Sequence, residues 1–171
     1  SFFWGLRADA YDALVQQGLP AWKQDVIGMC PHAAELLDSI ESFRQMTFAG
    51  YRHVRMKCWS GNKIVFLGDA AHPSSPHLGQ GVNLALEDAA CFADALNDTQ
   101  DFQRAAARYQ KLRQRKVRYY QSLTRMLTPF FQSDIPLSAA CRNLGLPWLP
   151  KVPWIRRRML QTLSGLQNGW F

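Results

Sequence analysis

No stretch of this 171-residue chain approaches the roughly 20 consecutive apolar residues that cross a bilayer. Residues 1–19 also lack the basic start and apolar block of a signal peptide. Cysteine is scarce. The four present, Cys30, Cys58, Cys91 and Cys141, lie far apart and form no C-x-x-C pair. That spacing argues against zinc or a disulfide framework and for reduced, partly buried thiols in a cytosolic protein. Internal repeats and low-complexity segments are absent. At 47% hydrophobic and 19% charged residues the composition is globular rather than disordered, with length enough for one core or one core and an appendage.

Acidic residues are unevenly distributed. Residues 1–100 hold 7 Lys/Arg against 11 Asp/Glu, and residues 101–171 hold 13 against 2, so a segment of net charge −4 precedes one of +11. Such a step marks regions with different surroundings. The basic end suits nucleic acid, anionic lipid, an acidic partner or plain water.

The hydrophobic pattern predicts a strand over Phe2–Arg7 and a short helix over Asp9–Gln17 stopped by Gly18 and Pro20. A helix over Ala21–Met29 follows, then a third begun by Pro31, with Ala33, Leu36, Leu37 and Ile40 on its apolar face. Phe43–Phe48 and Tyr51–Trp59 read as strands, and Ser60-Gly61-Asn62 as a turn. Lys63–Leu67 reads as a near-continuous apolar strand buried on both faces. From Gly79 to about Asn97 the spacing of Val82, Leu86, Ala89, Ala90, Ala93 and Leu96 predicts a helix with that stripe inward. After a polar break at Asp98–Asp101 a long helix covers Phe102–Leu127 and ends at Pro129. The rest is helical pieces cut by Pro136, Pro147, Pro150 and Pro153.

The most informative run is Gly68-Asp69-Ala70-Ala71-His72-Pro73-Ser74-Ser75-Pro76-His77-Leu78-Gly79-Gln80-Gly81-Val82-Asn83. It places a carboxylate at a strand end, a proline-punctuated loop, and then a glycine-opened helix. One acidic acceptor and one positive helix end meet a ligand carrying both hydroxyl groups and an electron-rich ring edge. Glycines let a planar group approach the backbone, where first-turn N–H groups have no intrahelical partner. Asn83, in the first turn, has two readings: an amide toward the ring or a local cap.

This run closely resembles the second flavin-contacting motif of class A FAD-dependent, aromatic-hydroxylase-like flavoprotein monooxygenases, G-D-A-A-H, spacer, P, spacer, G-Q-G-x-N. The specific part of the resemblance covers Tyr51 to about Leu96. It implies an α/β fold (α+β as a fragment): part of a doubly wound FAD-binding domain, a remnant of the substrate domain and a helical C-terminal region. The corresponding boundaries are 1–50 for the end of the substrate domain, 51–98 for the C-terminal part of the FAD domain, and 99–171 for a basic helical region. The resemblance puts Gly68, Asp69, Pro76, Leu78, Gly79, Gln80, Gly81 and Asn83 in the flavin site. Asp69 would take a ribityl hydroxyl, Pro76 would lie beside the reactive C4a region, and the helix start would face the anionic N1–C2=O edge. It implies NAD(P)H as reductant, a flavin C4a-hydroperoxide, and an aromatic or quinone-like substrate hydroxylated with oxygen. No side chain here is named as a catalytic base.

The family's opening strand with G-x-G-x-x-G, which lays the pyrophosphate on a helix N-terminus, is absent from these residues, as is its Asp-Gly motif. The chain therefore reads as the C-terminal part of a larger enzyme. By itself it is expected to bind FAD weakly or not at all and to be inactive, with the missing N-terminal half as its partner.

Other residues carry plainer readings. Asp69, His72 and His77 match no metal-ligand spacing, and His72 reads as a structural member of the motif. Glu87 and Asp88 read as solvated or dipole-favoured. Arg104, Arg108, Lys111, Arg113, Arg115, Lys116 and Arg118 point all round the long helix, as a solvated charge run does. Trp148, Trp154, Trp170 and Phe171 flank Lys151 and Arg156-Arg157-Arg158, which fits a tail folded back on its own domain or a peripheral membrane or protein contact. Two rival functions stay open. One is a flavin-dependent halogenase or prenyl reductase relative. The other is a non-enzymatic basic domain for nucleic acid or membrane, which would associate with steep salt dependence, though no nucleic-acid motif supports it.

Overall fold

Gly18 has φ +88°, so it ends helix α1 (Tyr11–Gln17) and starts α2 (Leu19–Met29) within one residue. The computed structural model describes residues 2–50, 54–131 and 143–170, which fall into two units, Ser1–Gly50 and Tyr51–Phe171.

In the first unit a 3-10 turn over Ala8–Ala10 leads into α1, and another over Pro31–Ala33 leads into α3 (Ala34–Asp38). A third turn, Phe43–Gln45, is closed by a capping box between Ser42 and Gln45. Trp22, Val26, Ala33 and Leu37 form the core, ringed by Phe2, Trp4, Leu14, Leu19 and others. The Trp22 ring meets Trp4 edge-on at 6.0 Å and Phe43 at 5.7 Å, while its Nε1–H is buried without a partner among the described residues. Trp22→Ala should therefore destabilise this unit by about 3–5 kcal/mol. Trp22→Phe should cost clearly less, because its ring refills most of the space and leaves a much smaller cavity, while the orphaned donor is gone in both variants. Urea unfolding of both variants measures the difference, and equal losses would contradict this account of the core.

The expected strands are mostly missing. Phe2–Arg7 forms no strand, and Phe43–Gln45 is a turn. The strand expected at Tyr51–Trp59 begins outside the described residues. Among those described, the only sheet pairs β1 (Ser60–Gly61) with β2 (Ile64–Val65), antiparallel, with Ser60 opposite Val65. Lys63–Leu67 is thus not a strand buried on both faces, since Ile64 is 60% exposed. Apolar sequence favours a strand only where an edge exists to pair with it, and here that edge is two residues long.

Helix dominates the second unit. α4 (Gly81–Thr99) and α5 (Phe102–Phe131) form an antiparallel hairpin. Its register shows in partners that climb α5 as they descend α4: Asp98 with Arg108, Phe92 with Tyr109, Asp88 with Arg113. Gln100, with φ +53°, closes α4, and Asp101 caps α5 by accepting the Arg104 N–H at 2.8 Å. α5 continues past Pro129, which removes one ladder bond near the helix end instead of stopping it.

The inward face of α4 differs from the expected stripe. Leu84, Asp88 and Ala95 are buried, whereas Val82 and Leu86 are 71% and 65% exposed. The ionic contacts of Asp88, described below, fix that rotation. Two clusters pack among the described residues of this unit. One joins Trp59, Ala71, Tyr109 and Val117, and the other joins Leu84, Tyr119 and Tyr120 with Leu78 and Leu123. α6 (Pro153–Leu163) follows a 3-10 turn at Leu149–Lys151 and returns to α5, where Tyr119 and Tyr120 hydrogen-bond Thr162. Burial pushes the Tyr120 phenol up to about 12. Cys30 and Cys58 are exposed rather than partly buried, Cys91 is intermediate, and Cys141 lies outside the described residues.

Candidate functional site

The site is organised by a turn that only glycine makes comfortably. After β2, Gly68 adopts φ +54°, and its carbonyl accepts the N–H groups of Ala71 and His72, both at 2.9 Å. A Cβ on Gly68 would stand 2.7 Å from the Ala85 Cβ, so the backbone lies directly against α4.

That contact is fastened by an acid the sequence pattern had left in solvent. Asp88 is fully buried. One carboxylate oxygen accepts the Gly68 N–H at 3.1 Å and contacts His72 Nε2 at 2.5 Å, and the other accepts Arg113 Nε at 2.7 Å. Arg113 also donates to Glu87 at 2.5 Å and to the Leu84 carbonyl at 3.3 Å, and Lys116 donates to Glu87 at 2.7 Å. Burial alone would raise the Asp88 pKa. The His72 and Arg113 bonds and the Gly68 N–H outweigh it and hold the carboxyl below its ordinary value. Arg113 and Lys116 are therefore buried ion-pair members, not part of a solvated charge run. Tyr109 packs beside the cluster and donates to the Phe66 carbonyl at 3.3 Å; burial, and then the Asp88 charge, push its phenol up. Sequence reasoning missed this network. The usable signal was the polar break at 98–101, because a hairpin folded there sets Glu87 and Asp88 opposite Arg113 and Lys116.

The network aims the rest of the motif. Gly81 and Asp88 are seven residues apart, nearly two turns, so they share one face of α4. With Asp88 pinned to Gly68 and His72, Gly81 points toward the residue after Gly68, and Asp69 Oδ1 lies 4.0 Å from the position of a Gly81 Cβ. The Asp69 carboxylate is exposed and accepts no hydrogen bond among the described residues. Pro76 opens a 3-10 turn, and its carbonyl accepts the Gly79 N–H at 2.9 Å. Gly79 then takes φ +62° with open space where its side chain would be. The first ladder bond of α4 runs from the Leu84 N–H to the Gln80 carbonyl, leaving the N–H groups of Gly81, Val82 and Asn83 without intrahelical acceptors.

The eight expected contact residues thus divide. Asp69, Pro76, Gly79 and Gly81 surround the open helix start. Gly68 lies beneath it, and Leu78 packs into the Leu84–Tyr119–Tyr120 cluster. Gln80 is buried, donating to the Leu163 carbonyl at 2.8 Å and accepting from the Asn83 amide at 3.2 Å. Asn83 is therefore engaged locally. His72 is buried in the ionic network, and His77 contacts the Ser75 hydroxyl. No group of three potential metal ligands occurs among the described residues.

A family model described as FAD binding domain matches residues 20–116. Among curated proteins, the 3-hydroxybenzoate 6-hydroxylase of Polaromonas naphthalenivorans is 33% identical over 87 residues, 50% of this chain and 21% of that protein. The violacein synthase of Chromobacterium violaceum is 33% identical over 125 residues, 72% of this chain and 24% of that protein. The chain thus spans about a fifth to a quarter of the length of these relatives. Among solved structures, tetracycline destructase Tet(55) superposes with a TM-score of 0.56 at 24% identity, over 89% of this chain and 40% of that one, a likeness of fold.

Proposed function

Because the chain belongs to the FAD binding domain family of flavoprotein monooxygenases, we propose that its glycine-opened helix and Asp69 form the ring-side part of an FAD site. The enzyme it serves is an NAD(P)H-using monooxygenase that hydroxylates an aromatic or quinone-like small molecule. One observation carries the reading: Asp69 Oδ1 lies 4.0 Å from where a Cβ on Gly81 would stand, and its carboxylate accepts no hydrogen bond among the described residues. The organisation we infer has residues 1–50 closing the substrate domain, 51–98 belonging to the FAD domain, and 99–171 forming a basic helical region.

The residues fit the cofactor. Open space at Gly79 admits the edge of a planar ring, and the unpaired first-turn N–H groups favour an anionic edge by about 1 kcal/mol. Asp69 would accept a sugar-like hydroxyl, and Pro76 would fix the loop beside the ring. When bound, FAD supplies the redox and oxygen-activating chemistry. The chain's own residues bind and orient it: Asp69 takes the hydroxyl, the Gly81–Asn83 N–H groups stabilise negative charge, and the loop from Pro73 to Gly79 excludes water on that side. Among the described residues we assign no catalytic base.

The test is fluorescence titration of the purified chain with FAD. Weak binding is expected, and Asp69→Ala should weaken it at least about tenfold, the loss of one hydrogen bond to a charged acceptor. Tight stoichiometric binding would overturn the assignment of a partial site. Affinity indifferent to Asp69 would overturn the assignment of that residue.

A further inference from the structure

The C-terminal region has two faces of opposite character. Its inner face is tied down, with Thr162 buried against Tyr119 and Tyr120 and the Leu163 carbonyl holding Gln80. Away from that contact Trp148, Val152, Trp154, Leu160, Leu163 and Leu166 are exposed, with Trp154 at 68% and Leu160 at 58%. Cations accompany this apolar surface. Lys151 Nζ sits 3.6 Å from the centre of the Trp148 ring, and Arg158 lies 5.7 Å from that of Trp154. A groove of about 450 Å3 has Pro150, Pro153, Leu160 and Leu166 along its walls and Lys151, Arg156 and Arg157 around it, with no carboxylate among its lining residues. Beyond Asp134 the sequence holds five Lys/Arg and no Asp or Glu.

We propose that the outer face of residues 143–170 docks on an anionic phospholipid bilayer. Large apolar side chains interleaved with cations, on a helix of 11 residues lying flat, satisfy both layers of a lipid interface. Leucine and tryptophan enter the acyl boundary, while lysine and arginine lay their stems along it and keep their charge at the phosphates. No described helix is long and apolar enough to cross a membrane, so the contact is peripheral. Charge complementarity selects this occupant over others. A second copy would set Lys151 and Arg156–Arg158 against their own counterparts with no acid between them. A nucleic acid would match the cations but leave Leu160, Leu163 and Leu166 in water.

The experiment is cosedimentation of the full 171-residue chain with vesicles of phosphatidylcholine alone and of phosphatidylcholine with phosphatidylglycerol, paired with tryptophan quenching by bromine-labelled acyl chains. Binding is expected to the anionic vesicles, weakened by salt, with quenching. Arg156→Glu combined with Arg157→Glu should weaken it about tenfold or more. Trp154→Ser combined with Leu160→Ser should reduce quenching at least about twofold. All four side chains are at the surface, and far-UV circular dichroism checks that the helices persist. Arg104→Glu with Lys111→Glu, which changes net charge equally on the distant part of α5, should change binding by no more than about twofold. Absence of binding, equal binding to neutral vesicles, or equal loss from the α5 pair would each overturn the proposal.

Discussion

Asp88→Asn is expected to destabilise the second unit by about 3–5 kcal/mol, the range for breaking a buried ion pair from one side. The substitution keeps shape and removes charge, so the Arg113 guanidinium, 8% exposed, loses the fully buried one of its two acid partners. The amide also brings two donors to a place where Arg113 and the Gly68 N–H already donate. Removing Arg113 instead should cost a similar amount by stranding Asp88. Removing both should cost less than the sum, so a double-mutant cycle in urea, followed by far-UV dichroism, gives a large coupling. A loss below about 1 kcal/mol for Asp88→Asn would mean the carboxylate is better hydrated than its burial indicates. The effect has a definite pH sign. The folded carboxyl titrates below its ordinary value of 3.8, so in acid the unfolded chain binds the proton first. The advantage of Asp88 over asparagine is full above that ordinary range and declines as pH falls through the lower folded value.

Gly68→Ala should be nearly as damaging by a different route. An alanine at φ +54° costs about 1–2 kcal/mol in the left-handed region. Its Cβ would also sit 2.7 Å from that of Ala85, closer than two carbons can stand, which adds about 1–3 kcal/mol of overpacking. Pairing the change with Ala85→Gly separates these terms: the steric part should return and the backbone part remain, apart from a cost of about 1 kcal/mol for glycine inside a helix. Thermal unfolding of the three variants decides the matter. A single Gly68→Ala variant within about 0.5 kcal/mol of the parent would show that the turn can relax away from α4.

These two residues show where sequence legibility stopped. The order from Gly68 to Asn83, the helix opened by glycines, and the break between two long helices were all readable, because turn residues and the polar run at Asp98–Asp101 are local signals; that the helices fold back on each other was not. The sheet was not. Val, Ile and Phe at 64–66 satisfy the requirements of a strand, but pairing depends on an edge elsewhere in the chain, and only Ser60–Gly61 supplies one among the described residues. The face of α4 was misread because periodicity counts every acid as outward. Val82 and Leu86 make a good stripe on paper, but the helix turns the other way since Asp88 finds Gly68, His72 and Arg113 together. In the site, Asp69 and Gly81 were recognisable from the motif. The inward commitment of Gln80 was hidden, because its partner at Leu163 is 83 positions away.

The two-turn interval between Gly81 and Asp88 makes spacing, more than composition, the quantity under constraint. One inserted residue would rotate everything beyond it by about 100° and shift it about 1.5 Å. Either Asp88 would swing out of its socket, or the helix start would turn away from Asp69. A residue exposed between them, such as Val82 or Leu86, can vary freely in kind. The number of residues between them is what the geometry holds fixed, so an insertion or deletion should be tolerated in the loops on either side and not within the interval.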